Sequence, residues 1–344
     1  MAASALGQRS VAQADGFYVP AEEHVHLRTL MQWPVDRQVY RGRNFRDQVQ
    51  KTIALVANTI SEFEPVVMMM SADEVEAAQR WLSEGVEIWD IPTDDLWCRD
   101  AGPLFMIDDN GGIAISHIQF NGWGGKQPTR NDNRIAETVA KRLDIRMVET
   151  GLVGEGGSTE QSGDGVLIAH ESSWVNRNRN PGLSRDQIED RLLAAYGADR
   201  IVWAPGVLGE DITDYHIDSL ARFTGPNRVL INLPDAPDLD DPFHRSALET
   251  HDILDAEGFE IYVIPEPVRR RVRSYNFVAS YSNFYACNGA IIAAEFGDPE
   301  TDIIAVDALR RHYPKREIVT LNVDVLGKLG GGIHCATQQM PRVL

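Results

Sequence analysis

Apolar positions along the chain recur in two alternating rhythms. Between residues 44 and 63, Val49, Ile53, Val56, Ile60 and Phe63 stand four, three, four and three apart, which predicts an amphipathic helix. It lies between two short apolar runs read as buried strands, Thr29–Pro34 and Pro65–Met70. A repeating unit then sets in. Ser71-Ala72-Asp73-Glu74 reads as a capping box opening a helix to about residue 83, followed by a strand over 86–91 and a polar loop holding Trp97-Cys98-Arg99-Asp100. Helix 132–143 leads to strand 145–150 and a loop with Glu155-Gly156-Gly157. A third helix opens at Ser184, with Gln187 completing its capping box, and gives strand 200–204 and a loop ending in His216-Ile217-Asp218. The fourth runs from Pro242 to Glu257, before strand 259–264 and a segment with Asn283-Phe284-Tyr285. The fifth spans 301–312, then strand 317–321, and ends at Gly330-Gly331-Gly332-Ile333-His334-Cys335.

Helix openings near 71, 132, 184, 242 and 301 repeat every 50–60 residues or so, the mark of a repeat architecture. Most units carry a further β-prone run before the helix: Ile113–Phe120, Val166–Ala169, Arg228–Leu233, Ala290–Ala294. Because a polar cluster follows the same strand each time, the pattern predicts a closed five-module α/β ring with the clusters meeting near its axis. No Gly/Ser/Pro-rich linker interrupts the period, so residues 15–344 are read as one domain after a disordered segment at 1–14.

Composition narrows the partners. A formal charge of −18 excludes nucleic acid and an anionic membrane and suits a small cationic substrate. No apolar run reaches the roughly 20 residues of a membrane span, and the N-terminus lacks the layout of a secretory signal. Cys98, Cys287 and Cys335 make a disulfide framework improbable and point to a reducing, cytoplasmic compartment. Oligomeric state, a homodimer included, is not legible.

The loops together offer Asp100, Glu155, His216, Asp218 and Cys335. Two carboxylates can grip a planar guanidinium through paired charge-assisted hydrogen bonds. The gripped cation lowers a thiol's pKa and presents an electrophilic carbon to it, while a histidine protonates departing ammonia and then activates water. Each residue has a plainer reading. Asp100 could pair with Arg99, Glu155 could cap a turn, and Cys335 could be a buried apolar residue as Cys98 and Cys287 are read to be. His216-x-Asp218 on a strand would face one way, as a site pair or a metal-ligand fragment. With no His-Glu-x-x-His helix, no metal is expected. Trp97 and Trp123 either stack on a cation or fill core.

These stretches carry a resemblance. Trp97-Cys98-Arg99-Asp100-Ala101-Gly102-Pro103-Leu104-Phe105 resembles the W-x-R-D-x-G-P-x-F motif of the agmatine deiminase family. So do Asn121–Lys126, Glu155–Ser158, Asn178-Arg179-Asn180-Pro181, His216-Ile217-Asp218, Ala279–Tyr285 and His334–Pro341, which together cover roughly residues 15–341. The resemblance implies a five-bladed pseudo-symmetric α/β propeller of the pentein type. It implies Cys335 as nucleophile, His216 as general acid and base, Asp100 and Asp218 on the guanidinium nitrogens, and Glu155 holding substrate or imidazole. Trp97, Trp123 and Tyr215 are expected beside the substrate. The reaction implied is hydrolysis of a guanidine to a ureido product and ammonia through an amidino-thioether, without metal or organic cofactor. Agmatine, giving N-carbamoylputrescine, is the first candidate. Deimination of arginine, peptidyl arginine or another guanidino acid, amidino transfer, and a non-catalytic guanidine-binding ring are the alternatives. Three departures bear on substrate: Tyr215 where the family usually has glycine, Gly332 where it has asparagine, and a short basic segment with Arg269, Arg270, Arg271 and Arg273, read as an exposed strand edge or an anion contact.

Overall fold

The computed structural model describes residues 16–274 and 276–343; the segment 1–14, expected to be disordered, lies outside them. Among the described residues the strands form five small sheets, one per predicted module. The first contains β1 (His26–Gln32), β2 (Val66–Met70) and β3 (Val86–Asp90), all parallel. The helix Arg43–Ser61 crosses from β1 to β2 and buries Val49, Ile53, Val56 and Ile60, the four stripe residues inside it.

The other four sheets share one plan: a short antiparallel strand, a middle strand, a helix, and a third strand parallel to the middle one. They are β4 (Leu104–Ile107), β5 (Ile113–Gln119) and β6 (Arg146–Val153); β7 (Thr159–Gln161), β8 (Val166–His170) and β9 (Arg200–Ala204); β10 (Ala221–Gly225), β11 (Arg228–Leu233) and β12 (Glu260–Pro265); β13 (Tyr285–Cys287), β14 (Ala290–Ala294) and β15 (Glu317–Leu321). Every residue of β2 and β14 is buried, as a strand covered on both faces must be, so these strands read as unbroken apolar runs. The last strand, β16 (Thr337–Pro341), pairs antiparallel with β1 and fills the place the short strands hold elsewhere. The two ends of the chain thus share one sheet and close the five-bladed α/β propeller.

Local differences have local causes. The helix expected from Ser71 is only a 3-10 turn at Ala72–Glu74 and one α turn at Val75–Ala78. Ser71 supplies no side-chain cap; the Ala72 N–H donates to Asp90 Oδ1 instead, at 3.0 Å. At Ser184 the capping box forms in full with Gln187. The arginine-rich segment is not a strand. Arg269 pairs with Glu300 at 2.9 Å, Arg271 with Asp324 at 2.8 Å and Glu295 at 3.3 Å, and the Arg270 guanidinium lies 5.7 Å from the Phe277 ring centre. Carboxylates thus take up the charges of Arg269 and Arg271.

Candidate active site

Each of the five connections that lead from the last strand of one sheet to the first of the next delivers a polar side chain to a common centre. Asp100 lies between β3 and β4, Glu155 between β6 and β7, His216 and Asp218 between β9 and β10, Asn283 between β12 and β13, and Cys335 between β15 and β16. All are buried, with 8% of Cys335 exposed. The Cys335 thiol lies 3.3 Å from Asp218 Oδ2, and Asn283 Nδ2 donates to the sulfur at 3.1 Å. The His216 imidazole is held between Glu155 Oε2, 3.3 Å from Nε2, and Asp100 Oδ1, 3.7 Å from Nδ1. Trp123 Nε1 and the Gly157 N–H fix Asp100 by donating to its two oxygens at 2.9 and 3.1 Å.

Gly157 marks how close this packing is. A Cβ there would fall 2.8 Å from His216 Nδ1, 2.9 Å from Asp100 Oδ1 and 3.2 Å from Asp218 Oδ2. The terminal glycines do the same for the thiol: a Cβ at Gly331 would meet the Trp97 ring at 2.6 Å and Cys335 Sγ at 3.3 Å, and one at Gly332 would collide with Asn283. Trp97 is therefore beside the sulfur.

The electrostatics follow from burial without matching cations. Burial opposes charge on His216, but Asp100, the Glu155 hydrogen bond and Asp218 outweigh it and raise the imidazole to about 9. Asp100 is raised to about 6 by burial and by Glu155 and Asp218, with His216 and Trp123 pulling the other way. Glu155, despite burial, is carried below the usual range by His216 and by Arg179, whose Nε donates to both carboxylate oxygens at 2.9 Å. Burial, Asp218 and Asp100 push the Cys335 thiol well up, so at rest it is protonated. Burial opposes charge on Asp218 too, yet it falls to about 2, chiefly through His334 Nδ1 at 2.8 Å. His334 itself is pushed down by burial and by Arg222 and Arg99, so we assign that effect to a hydrogen bond from a neutral ring rather than to an imidazolium.

Behind the cluster lies a second set of buried charges. Glu22 receives Arg99 at 3.2 Å and Arg222 at 3.0 Å and lies 2.8 Å from His334 Nε2, and Arg222 also pairs with Glu160 at 2.9 Å. Arg99 thus points away from Asp100 and is not its partner, because consecutive residues of the turn Cys98–Ala101 project in different directions. His216 and Asp218 are not on a strand: His216 is extended and Asp218 sits in a 3-10 turn, Ile217–Ser219, yet both reach the centre. Tyr215, expected beside the substrate, packs elsewhere. Its φ of 66° turns the ring onto His170, 4.7 Å away and nearly parallel, and edge-on to Phe243 at 5.1 Å. Cys98 and Cys287 are buried, and burial pushes both thiols up. Among the described residues no group of His, Cys, Asp or Glu is arranged to hold a metal ion, and no helix is long and apolar enough to cross a membrane.

Sequence reasoning assigned no role to Asn283 or Arg179. Both had a signal: Asn283 stands in the fourth polar cluster, where the other modules carry site residues, and Arg179 lies in the Asn-Arg-Asn-Pro motif. His334 had one as well, standing beside Cys335 in the terminal motif, whereas Glu22 had none, since only the closed ring brings it to residues so far along the chain.

The chain matches the Porphyromonas-type peptidyl-arginine deiminase family over residues 18–341. It is 37% identical to an agmatine deiminase of Stutzerimonas stutzeri, with 96% of this chain and 97% of that one aligned, and 35% identical to an agmatine deiminase of Pseudomonas aeruginosa over the same shares. Among solved structures it is similar to the agmatine deiminase of Enterococcus faecalis, with a TM-score of 0.87 at 27% identity, covering 98% of this chain and 100% of that one. By sequence, fold and length, the chain belongs to the Porphyromonas-type peptidyl-arginine deiminase family and groups there with agmatine deiminases.

Proposed function

We propose that the protein hydrolyses the guanidine of agmatine to N-carbamoylputrescine and ammonia, with Cys335 as nucleophile. The observation that carries the reading is a shortage of cations. Asp100 and Asp218 flank the thiol, and the partners at their oxygens are imidazoles, that of Asp218 neutral, not guanidiniums. A planar substrate cation supplies the missing charge and offers each aspartate N–H donors. Once seated, it offsets the two carboxylates that hold the thiol up, and Cys335 gives its proton to solvent, where the released ammonia later takes one up.

The thiolate then adds to the guanidinium carbon. His216, protonated at rest, gives a proton to one nitrogen; the C–N bond breaks, ammonia leaves, and an amidino-thioether remains on Cys335. Neutral His216 next takes a proton from water, the hydroxyl adds to the same carbon, the C–S bond breaks, and the ureido product and the thiol are released. Glu155, locked by Arg179, keeps the imidazole in line for both transfers. Asn283 donates to the sulfur and steadies the developing thiolate. Trp97 and Trp123 form apolar walls, and Trp123 also holds Asp100. Substrate is thus a small guanidino cation; a free thiol of this kind fits a reducing compartment such as the cytoplasm.

The test is a panel of agmatine, arginine, a peptidyl arginine and a guanidino acid, each with and without an amine acceptor. Fastest ammonia and ureido release from agmatine, with no transfer to the amine, supports the reading. Preference for an α-amino acid or a peptide, or amidino transfer, overturns it.

A further inference from the structure

One strained turn sets both partners of the His216–Glu155 contact. Asp214 and Tyr215 are consecutive residues in the left-handed region, with φ of 60° and 66°, where a bulky aromatic residue is rare. Such conformations persist only where surrounding contacts impose them. Here the contacts are many. The Tyr215 ring stacks on His170 at 4.7 Å and meets Phe243 edge-on at 5.1 Å, so β8 and the helix Pro242–Ala256 grip it from two sides. His170 Nδ1 donates to the Tyr215 carbonyl at 2.8 Å, and Ser172 Oγ donates to the Asp214 carbonyl at 2.6 Å.

The turn then acts in two directions. Forward along the chain it releases His216 into extended backbone, aimed at the cluster. Sideways, Asp214 Oδ2 holds Arg179 at 2.7 Å and Lys126 at 2.8 Å, and Arg179 in turn locks Glu155. Both ends of the 3.3 Å contact between His216 Nε2 and Glu155 Oε2 hang on this turn.

We infer that Tyr215 is a positioning residue for the imidazole of His216: its ring, clamped between His170 and Phe243, holds the left-handed turn that sets His216 against Glu155 and Asp100. The inference rests on the reading of His216 as the acid–base residue, and its test includes a readout that does not depend on turnover. The groups facing His216 are the carboxylates of Asp100, Glu155 and Asp218, so a loosened ring loses part of their combined attraction and titrates lower.

The experiment compares Tyr215→Phe, Tyr215→Ala and Tyr215→Gly in the full-length enzyme. His216 is followed by NMR titration of isotope-labelled histidine, with His216→Asn identifying its signal among the nine histidines. Phenylalanine keeps the clamp and matches the parent. Alanine, strained in the turn and without the ring, lowers the His216 titration point by about one unit or more and cuts kcat about tenfold with KM nearly unchanged. Glycine adopts the turn without strain and needs no clamp, so this variant folds even where alanine does not and keeps both values near the parent's. A Tyr215→Ala enzyme with unchanged His216 titration and unchanged kcat, or a Tyr215→Gly enzyme that loses both, overturns the inference and reduces the ring to packing. Full activity of His216→Asn would instead sink the acid–base reading, while the titration would still decide the role of Tyr215.

Discussion

Two buried polar regions lie back to back in this ring and are neutralised in different ways. Behind the site, Glu22 and Glu160 are met by the protein's own guanidiniums, Arg99 and Arg222. At the site, Asp100 and Asp218 have imidazoles for partners. The two histidines register the contrast. His334, like His216, has a carboxylate at each nitrogen, yet it is pushed down where His216 is raised to about 9, because burial combines there with Arg222 and Arg99. The rear region is a finished ion-pair network and contributes to closing the ring. At its aspartates the front region lacks such guanidiniums, and in the proposed reading a substrate guanidinium completes it.

The sharpest way to break this contrast is to exchange the reacting group. Cys335→Ala is expected to lower turnover by about 10⁴-fold or more, measured as ammonia release, while the melting temperature stays close to the parent's. Removing one acid from each region separates their tasks. Asp218→Asn should cost about 100-fold or more in kcat/KM and ease alkylation of Cys335 by iodoacetamide, because a carboxylate that raises the thiol is gone. Glu22→Gln leaves Arg99 and Arg222 underpaired in the interior and should cost about 3–5 kcal/mol of stability in denaturant unfolding. Equal effects of the two changes on KM and on stability would erase the distinction.

The pH response sharpens it further. Because the folded-state pKa of His216 lies above its unfolded value, its charge contributes stability that is fully present below pH 6.5 or so and is lost as pH rises through about 9. His216→Asn should therefore flatten the melting temperature across that window; an unchanged slope would place the titrating group elsewhere. The smallest effect is expected at the partly exposed arginine-rich segment. Arg271→Ala breaks partly exposed pairs with Asp324 and Glu295 and should change stability by about 1 kcal/mol at most, leaving agmatine turnover within twofold.

The ring was legible because its period is written in local signals: the stripe of the helix Arg43–Ser61, the Ser184 capping box, and a polar cluster after each parallel strand. The family motifs drew attention to Asp100, Glu155, His216, Asp218 and Cys335, which the structure brings together. What escaped the sequence depends on distance or on backbone sign. The pairing of β16 with β1 joins chain ends more than 300 residues apart, so no local pattern announces it. The direction of Tyr215 is set by a positive φ, which side-chain chemistry does not reveal, and it carries the ring onto His170 and Phe243. Arg269 and Arg271 looked like free charge because their acids, Glu300 and Asp324, arrive from later elements.

The central claim is that sulfur reaches the carbon of a guanidinium held between Asp100 and Asp218. The most direct measurement is intact-protein and peptide mass spectrometry of the parent enzyme quenched in acid during turnover of agmatine. The account predicts an adduct of agmatine less ammonia, on Cys335 and absent after Cys335→Ala. The same adduct on Cys98 or Cys287, or ammonia released by the parent enzyme at an undiminished rate after Cys335→Ala, would contradict it.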